Sequence, residues 1–361
     1  MTGARQPGVT RTGFGRTPGG ERVEAVQLAG ASGVSVRILT FGATIQSVLV
    51  PDGAGEIADV VLGFPTIEGY LASSTYMGVT VGRVANRIAG GRFGMDGIEH
   101  RVPLNDGPNA LHGGAEGLDR RVWEIVEVCE GASPGVTLRC VSPHRDQGFP
   151  GELTVLARFS LMPEGVLALD YEATTDRPTP VNITSHGYWN LAGDGAAAGA
   201  MDHRLTLYAE EYLPTDRTAI PTGEFRKVGD TPFDFRTPTQ IGLRVRDASD
   251  EQIVFGRGYD HNWVISREPA PEPRVVALLE DPVSGRAMEL SSDQPGLQMY
   301  SGNFLDATVA GKSGRLYRQG DAVVLEPQMF PDTPNHPAFG SIRLEPGQVY
   351  RNRIRFRFFT R

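Results

Sequence analysis

The chain has 361 residues, 22% of them charged, a formal net charge of −8 and two cysteines, Cys129 and Cys140. That balance excludes a general nucleic-acid binder, which needs a positive surface to attract phosphates. No apolar run reaches the roughly 20 residues of a membrane span. Length alone permits one to three domains.

The N-terminal run M-T-G-A-R-Q-P-G-V-T-R-T-G-F-G-R carries arginines with no hydrophobic segment behind them, so it is not a secretory signal and the cytoplasm is the expected location. Residues 1–20 are expected to be partly flexible. G-F-G-R-T-P-G within them has neither a strand before it nor a helix after it, as a dinucleotide loop requires. A short helix is expected near Thr66–Ala72. Val122–Val128 and Gly135–Val141 then read as strands joined by the turn G-A-S-P-G. That turn formally matches the serine-hydrolase pattern, but the hydrolase needs a strand-to-helix elbow, and here strand follows strand. Leu153, Val155, Ala157, Phe159 and Leu161 share one face of the next strand, and Val166–Glu172 follows through the turn P-E-G. Period-two alternation with Gly/Pro punctuation makes this an antiparallel meander.

Cys129 and Cys140 fall on neighbouring strands of the meander and are expected as two reduced core thiols, with a cross-strand pairing left open. A second short helix is expected at Pro238–Leu243, and exposed loops at Asp194–Ala200 and Pro269–Pro273. Near the C-terminus Arg351, Arg353, Arg355 and Arg357 share one strand face and Ile354, Phe356 and Phe358 the other. In so acidic a chain the arginine face is read as solvated or paired with carboxylates. No internal repeat, low-complexity segment or linker appears. The expectation is one all-β domain over residues 1–361 with very little helix, and periodicity alone does not separate a sandwich from a barrel.

Two segments carry chemistry. Asn182–Gly193, N-I-T-S-H-G-Y-W-N-L-A-G, sets His186 among Ser185, Tyr188, Trp189 and Asn190. Imidazole trades protons near neutral pH, and Tyr, Trp and Asn suit a polyhydroxylated ligand. Val323–Gln328, V-V-L-E-P-Q, puts Glu326 at the end of an apolar run, where burial raises a carboxylate's basicity. A His and a Glu on opposite sides of one pocket make a general acid–base pair. The seven histidines include no H-E-x-x-H and no paired spacing, so no metal is expected.

These segments resemble the aldose 1-epimerases (galactose mutarotases), and further matching pieces run in family order: G-R-V-A-N-R-I (Gly82–Ile88), N-A-L-H-G-G (Asn109–Gly114), Y-D-H-N-W (Tyr259–Trp263) and Q-P-G-L-Q-M-Y-S-G-N-F-L (Gln294–Leu305). The resemblance implies a large antiparallel β-sandwich and an isomerase that exchanges the α and β anomers of a neutral aldose. It implies no cofactor, a sugar as the partner, and a monomer or homodimer with no nucleic-acid or membrane partner. It assigns Glu326 as base and His186 as acid, and implies hydroxyl contacts from Asn86, Arg87, His112, Tyr188, Asp260 and Gln298. Taken by their own chemistry, Arg87 equally suits a salt-bridged strand residue, Asp260 a turn former and Gln298 a polar strand position; His261 is read as structural. The reaction calls for one base and one acid about a ring's width apart. Ser185, where many relatives carry Asn, and Pro327 after the base are mild departures.

Two other activities stay open at this point. A non-catalytic sugar sensor on the same scaffold would be expected to lack Glu326 or His186, and both are present. A glycoside hydrolase needs two carboxylates flanking the bond, which Asp260 and Glu326 can supply.

Overall fold

A computed structural model of the chain describes residues 7–361. The expected flexibility of residues 1–6 lies outside the described residues, but Gly8–Arg16 is a strand. It opens a five-stranded meander that continues through Arg22–Ala29, Ser35–Leu39, Thr44–Pro51 and Ile57–Asp59. A nine-stranded sheet follows. Its first four strands, Glu124–Cys129, Gly135–Ser142, Leu153–Met162 and Val166–Thr175, are the antiparallel meander read from the alternation. Tyr350–Thr360 joins the last of these to Arg286–Ser292, so the C-terminal strand sits in the middle of the sheet. A six-stranded sheet runs in the order Tyr188–Trp189, Val323–Gln328, Gly296–Tyr300, Asp260–Val264, Glu211–Leu213, Arg226–Lys227.

All three sheets send apolar side chains into one buried cluster. The six-stranded sheet contributes Trp189, Leu297, Met299, Leu325 and Trp263, and the nine-stranded sheet Leu167, Leu290, Ile354 and Phe356. The Trp189 ring lies 4.8 Å from Phe356 and 5.8 Å from Phe358, centroid to centroid, at the seam between these two sheets. The sheets therefore pack as a sandwich rather than closing as a barrel. On the other face of the C-terminal strand the arginines meet carboxylates: Arg351 with Glu172, Arg353 with Asp293 and Glu272, Arg355 with Asp170, and Arg357 with Glu289.

Three readings need correction. Cys129 is exposed and only Cys140 is buried; they face Gly135 and Val155 across the sheet, not each other, and both are free thiols. Residues 238–243 hold a two-residue edge strand, Thr239–Gln240, and one 3₁₀ turn, Ile241–Leu243, in place of a helix. The helix the alternation did not show is Glu251–Gly256, capped by Asp250, whose carboxylate accepts from the Gln252 N–H; at six residues it is too short to display a 3.6-residue period. The other expected helix is present as Ile67–Ala72.

Phe356 is 1% exposed in the middle of the shared core. Phe356→Ala is expected to cost about 3–5 kcal/mol, read by urea denaturation; a loss below about 1 kcal/mol would show that the seam does not hold the sandwich together.

Candidate active site

Alternation along the six-stranded sheet builds the floor of the site. Tyr188, Val324, Tyr300 and Asp260 are successive cross-strand partners in one row, and Glu326, Gln298 and Asn262 in the next. Facing partners share a side of the sheet, so both rows look away from the core that holds Trp189, Leu325, Met299 and Trp263. His186 precedes Tyr188 by two residues and has the same parity. The surrounding segments are brought in by short pairings: Thr184–Ser185 with Thr80–Val81, and Arg87–Ile88 with Ala110–Leu111. Together they enclose a cavity of about 300 Å³, lined among others by Asn86, Arg87, His112, His186, Asp260 and Glu326.

Asn86 and His112 lock each other. The His112 N–H donates to the Asn86 carbonyl at 2.9 Å, and the Asn86 N–H donates to His112 Nδ1 at 3.1 Å. Both have left-handed backbones, φ 60° and 52°, and Gly113 beside them has φ 93°. A Cβ on Gly113 would stand 2.1 Å from the Gly82 carbonyl oxygen, so the H-G-G turn can press onto the G-R-V-A-N-R segment only with glycine there. Because Nδ1 accepts, the ring proton of neutral His112 sits on Nε2, which makes His112 a standing donor. Burial, with His186 and Arg87 adding to it, keeps its pKa well below the usual value.

Arg87 is buried between two carboxylates. Its Nε donates to Asp106 Oδ2 at 2.7 Å, and Nη1 lies 3.6 Å from Asp260 Oδ2. Burial opposes its charge, but Asp260 and Asp106 outweigh this and raise its pKa. It is thus both the salt-bridged residue and a cavity wall. Gln298 is not among the residues lining the cavity. Its Nε2 donates to Asp260 Oδ1 at 2.7 Å and so steadies that carboxylate, while its buried Oε1 has no partner among the described residues. Tyr188 lines the cavity, yet its hydroxyl is committed to the Thr75 carbonyl at 2.8 Å. His261 is packed behind the sheet, with Nδ1 accepting from the Asp260 N–H and Nε2 3.2 Å from Gln252 Oε1.

His186 Nε2 lies 3.7 Å from Glu326 Oε1, both side chains almost wholly buried. The two are close neighbours, nearer than the ring's width expected from the sequence, because the antiparallel register that pairs Tyr188 with Val324 sets position 186 opposite position 326. Burial lowers the His186 pKa to about 4 and, reinforced by Asp260, raises that of Glu326 well above the ordinary carboxylate value. Burial thus favours the neutral form of both groups, an arrangement in which the pair holds one proton, on the carboxyl group. His112, His186 and Glu326 place one donor atom each within 4.8 Å of one another, a set that resembles a metal site. With the His112 Nε2 carrying its proton, only two free ligand atoms remain, fewer than the three protein ligands of a catalytic zinc site.

The cavity wall that motif reading missed is Thr75–Tyr76 with Asn105 and Asp106. Its one local signal is again conformational, since Tyr76 has φ 55°.

The aldose 1-epimerase family model matches residues 24–357. The galactose mutarotase of Rattus norvegicus is 43% identical over 351 residues, covering 97% of this chain and 98% of its own. Among solved structures, an aldose epimerase homologue from C. elegans superposes with a TM-score of 0.84 at 32% identity, covering 93% of this chain and 98% of its own. The galactose 1-epimerase of Lactobacillus acidophilus gives 0.85 at 29% identity over 98% of each chain. Fold and relatives together define a mutarotase-like β-sandwich isomerase. The chain belongs to the aldose 1-epimerase family.

A carboxyl group whose folded pKa is raised loses stabilisation as pH climbs from the unfolded value toward the folded one. Glu326→Gln removes that penalty while keeping the shape. The variant is expected to match the parent's stability near pH 4 and exceed it at pH 8, by about 1.4 kcal/mol for each tenfold displacement of proton affinity. Thermal melts across that range check this, and a pH-independent difference would refute it.

Proposed function

We propose that the chain acts as one domain that interconverts the α and β anomers of a neutral aldose such as galactose, glucose or a pentose, with Glu326 as base and His186 as acid. The observation that carries this reading is the 3.7 Å approach of the two groups, matched to two oxygens on one carbon. With the shared proton on His186, Glu326 removes the proton of the 1-hydroxyl as His186 protonates the ring oxygen; the C1–O5 bond breaks and the aldehyde forms. Opening leaves the proton on Glu326 and His186 neutral, the arrangement burial favours. After rotation about C1–C2, Glu326 returns its proton to the aldehyde oxygen, His186 takes one from the 5-hydroxyl, and the other anomer closes.

Arg87, already paired with Asp106 and Asp260, is no open anion receptor, which supports a neutral sugar over a sugar phosphate. The same pairing weakens the glycoside hydrolase reading, because both Asp260 oxygens are engaged, by Gln298 and Arg87. Among the described residues no helix is long and apolar enough to cross a membrane. A cytoplasmic enzyme working without a cofactor, as monomer or homodimer, is the setting we propose.

Polarimetry with pure anomers tests the assignment. Glu326→Gln is expected to lower kcat by at least about 10²-fold, the low end for one positioned proton carrier, with sugar binding retained. Activity within about tenfold of the parent would move the base elsewhere.

The pH dependence of kcat/KM should be bell-shaped. A second proton on the pair disables the base as pH falls toward about 4, where His186 protonates. Loss of the shared proton disables the acid at a pH well above the ordinary carboxylate range. Both limbs belong to the pair and not to either group alone. A profile still flat at pH 3 would contradict the assignment.

A further inference from the structure

Segment Ser74–Tyr76 forms a cavity wall to which none of the assigned site residues belongs, and with the residues just before it this wall is fastened from three sides. Arg120 donates through Nη1 to the Tyr70 and Leu71 carbonyls and through Nη2 to that of Ser73 at 2.7 Å. Tyr188 holds the Thr75 carbonyl. Asn105 holds the Tyr76 hydroxyl, its Nδ2 donating at 3.1 Å. Asn105 Oδ1 accepts from the Leu111 N–H at 2.7 Å, and Nδ2 shares its two hydrogens among Tyr76 and the Leu111 and Gly114 carbonyls at 3.0 and 3.2 Å; an amide nitrogen only donates, so the direction of the Tyr76 contact is fixed. The Tyr76 oxygen is therefore an acceptor here, and its own hydrogen has no partner among the described residues. Tyr76 lines the cavity.

The position of Tyr76 tells which part of a sugar it meets. Its ring is 4.6 Å from His112 and 5.9 Å from His186, and those two imidazoles are 5.2 Å apart. Tyr76 thus packs beside both imidazoles, the acid His186 among them, whereas Asp260 and Arg87 act on Glu326. In a pyranose the base meets O1 and the acid meets the ring oxygen. Beyond the ring oxygen comes C5 with its substituent; beyond C1, on the opposite side, come the 2- and 3-hydroxyls. An aldohexose carries a hydroxymethyl group on C5, and a pentopyranose carries only hydrogen there.

We propose that the Tyr76 hydroxyl, oriented by Asn105, donates to the 6-hydroxyl of an aldohexose and is the residue that separates hexoses from pentoses. The proposal rests on the anomer-exchange reading above. A site built to hydrogen-bond a substrate hydroxyl discriminates against the analogue that lacks it, and one neutral hydrogen bond is worth about three- to tenfold.

The test uses three sugars of the same ring stereochemistry, D-galactose, 6-deoxy-D-galactose and L-arabinose, with the unaltered enzyme and Tyr76→Phe. The unaltered enzyme is expected to favour galactose over the 6-deoxy sugar by about three- to tenfold in kcat/KM. In Tyr76→Phe that ratio should collapse to about one by loss on galactose alone, with arabinose unchanged within about twofold. An equal fall on all three sugars would make Tyr76 merely structural and overturn the proposal. A fall on both galactose and its 6-deoxy form but not arabinose would assign the effect to ring packing, overturning the hydroxyl contact, as would no change on any sugar. Comparing galactose with its 6-deoxy form needs no variant, so the proposal stays testable if Tyr76→Phe folds poorly. Inactivity of the unaltered enzyme on all three sugars would instead overturn the anomer-exchange reading, and this proposal with it.

Discussion

The register of the six-stranded sheet imposes two environments on one backbone, because neighbouring residues point to opposite sides and facing residues to the same side. Leu325 is in the sandwich core and Glu326, the next residue, is on the cavity floor; Trp263 and Asn262, and Met299 and Gln298, divide in the same way. The core side fixes the strands, and the fixed strands hold the carboxylate where solvent is scarce. Its high proton affinity is thus a product of the same burial that stabilises the sheet.

Loops complete what the sheet begins, and they do so at a cost. Tyr76, Asn86 and His112 all occupy left-handed backbone conformations, each costing about 1–2 kcal/mol for a residue with a side chain. The reciprocal bonds between Asn86 and His112, and the hold of Asn105 on Tyr76, are what keep them there. Such conformations gather where surrounding structure over-determines them, and a ligand site is the usual reason.

Much of this was legible in the sequence where a period or a distinctive residue carried it. The meander, the Phe and Arg faces of the C-terminal strand, and the burial of Glu326 follow from alternation. The loop residues are different. Arg87 and Asp106 are 19 positions apart, and Tyr76 meets Asn105 across 29; no periodicity connects such pairs. Gln298 shows the limit of reading a motif residue by residue. It has the parity of Glu326 and faces the same side, but only the fold reveals that its amide is engaged by Asp260, 38 positions away.

The double pairing of Arg87 also bears on how a ligand arrives. Its positive charge is answered within the wall by Asp106 and Asp260, so no free cation is left there to draw in an anionic solute, and a neutral sugar carries no net charge for any field to steer. Encounter is then governed by plain diffusion and the width of the mouth. Ionic strength, which strongly modulates enzymes that steer charged ligands, has little to act on here. The enzyme's sensitivity is reserved for protons, which change the state of His186 and Glu326 directly.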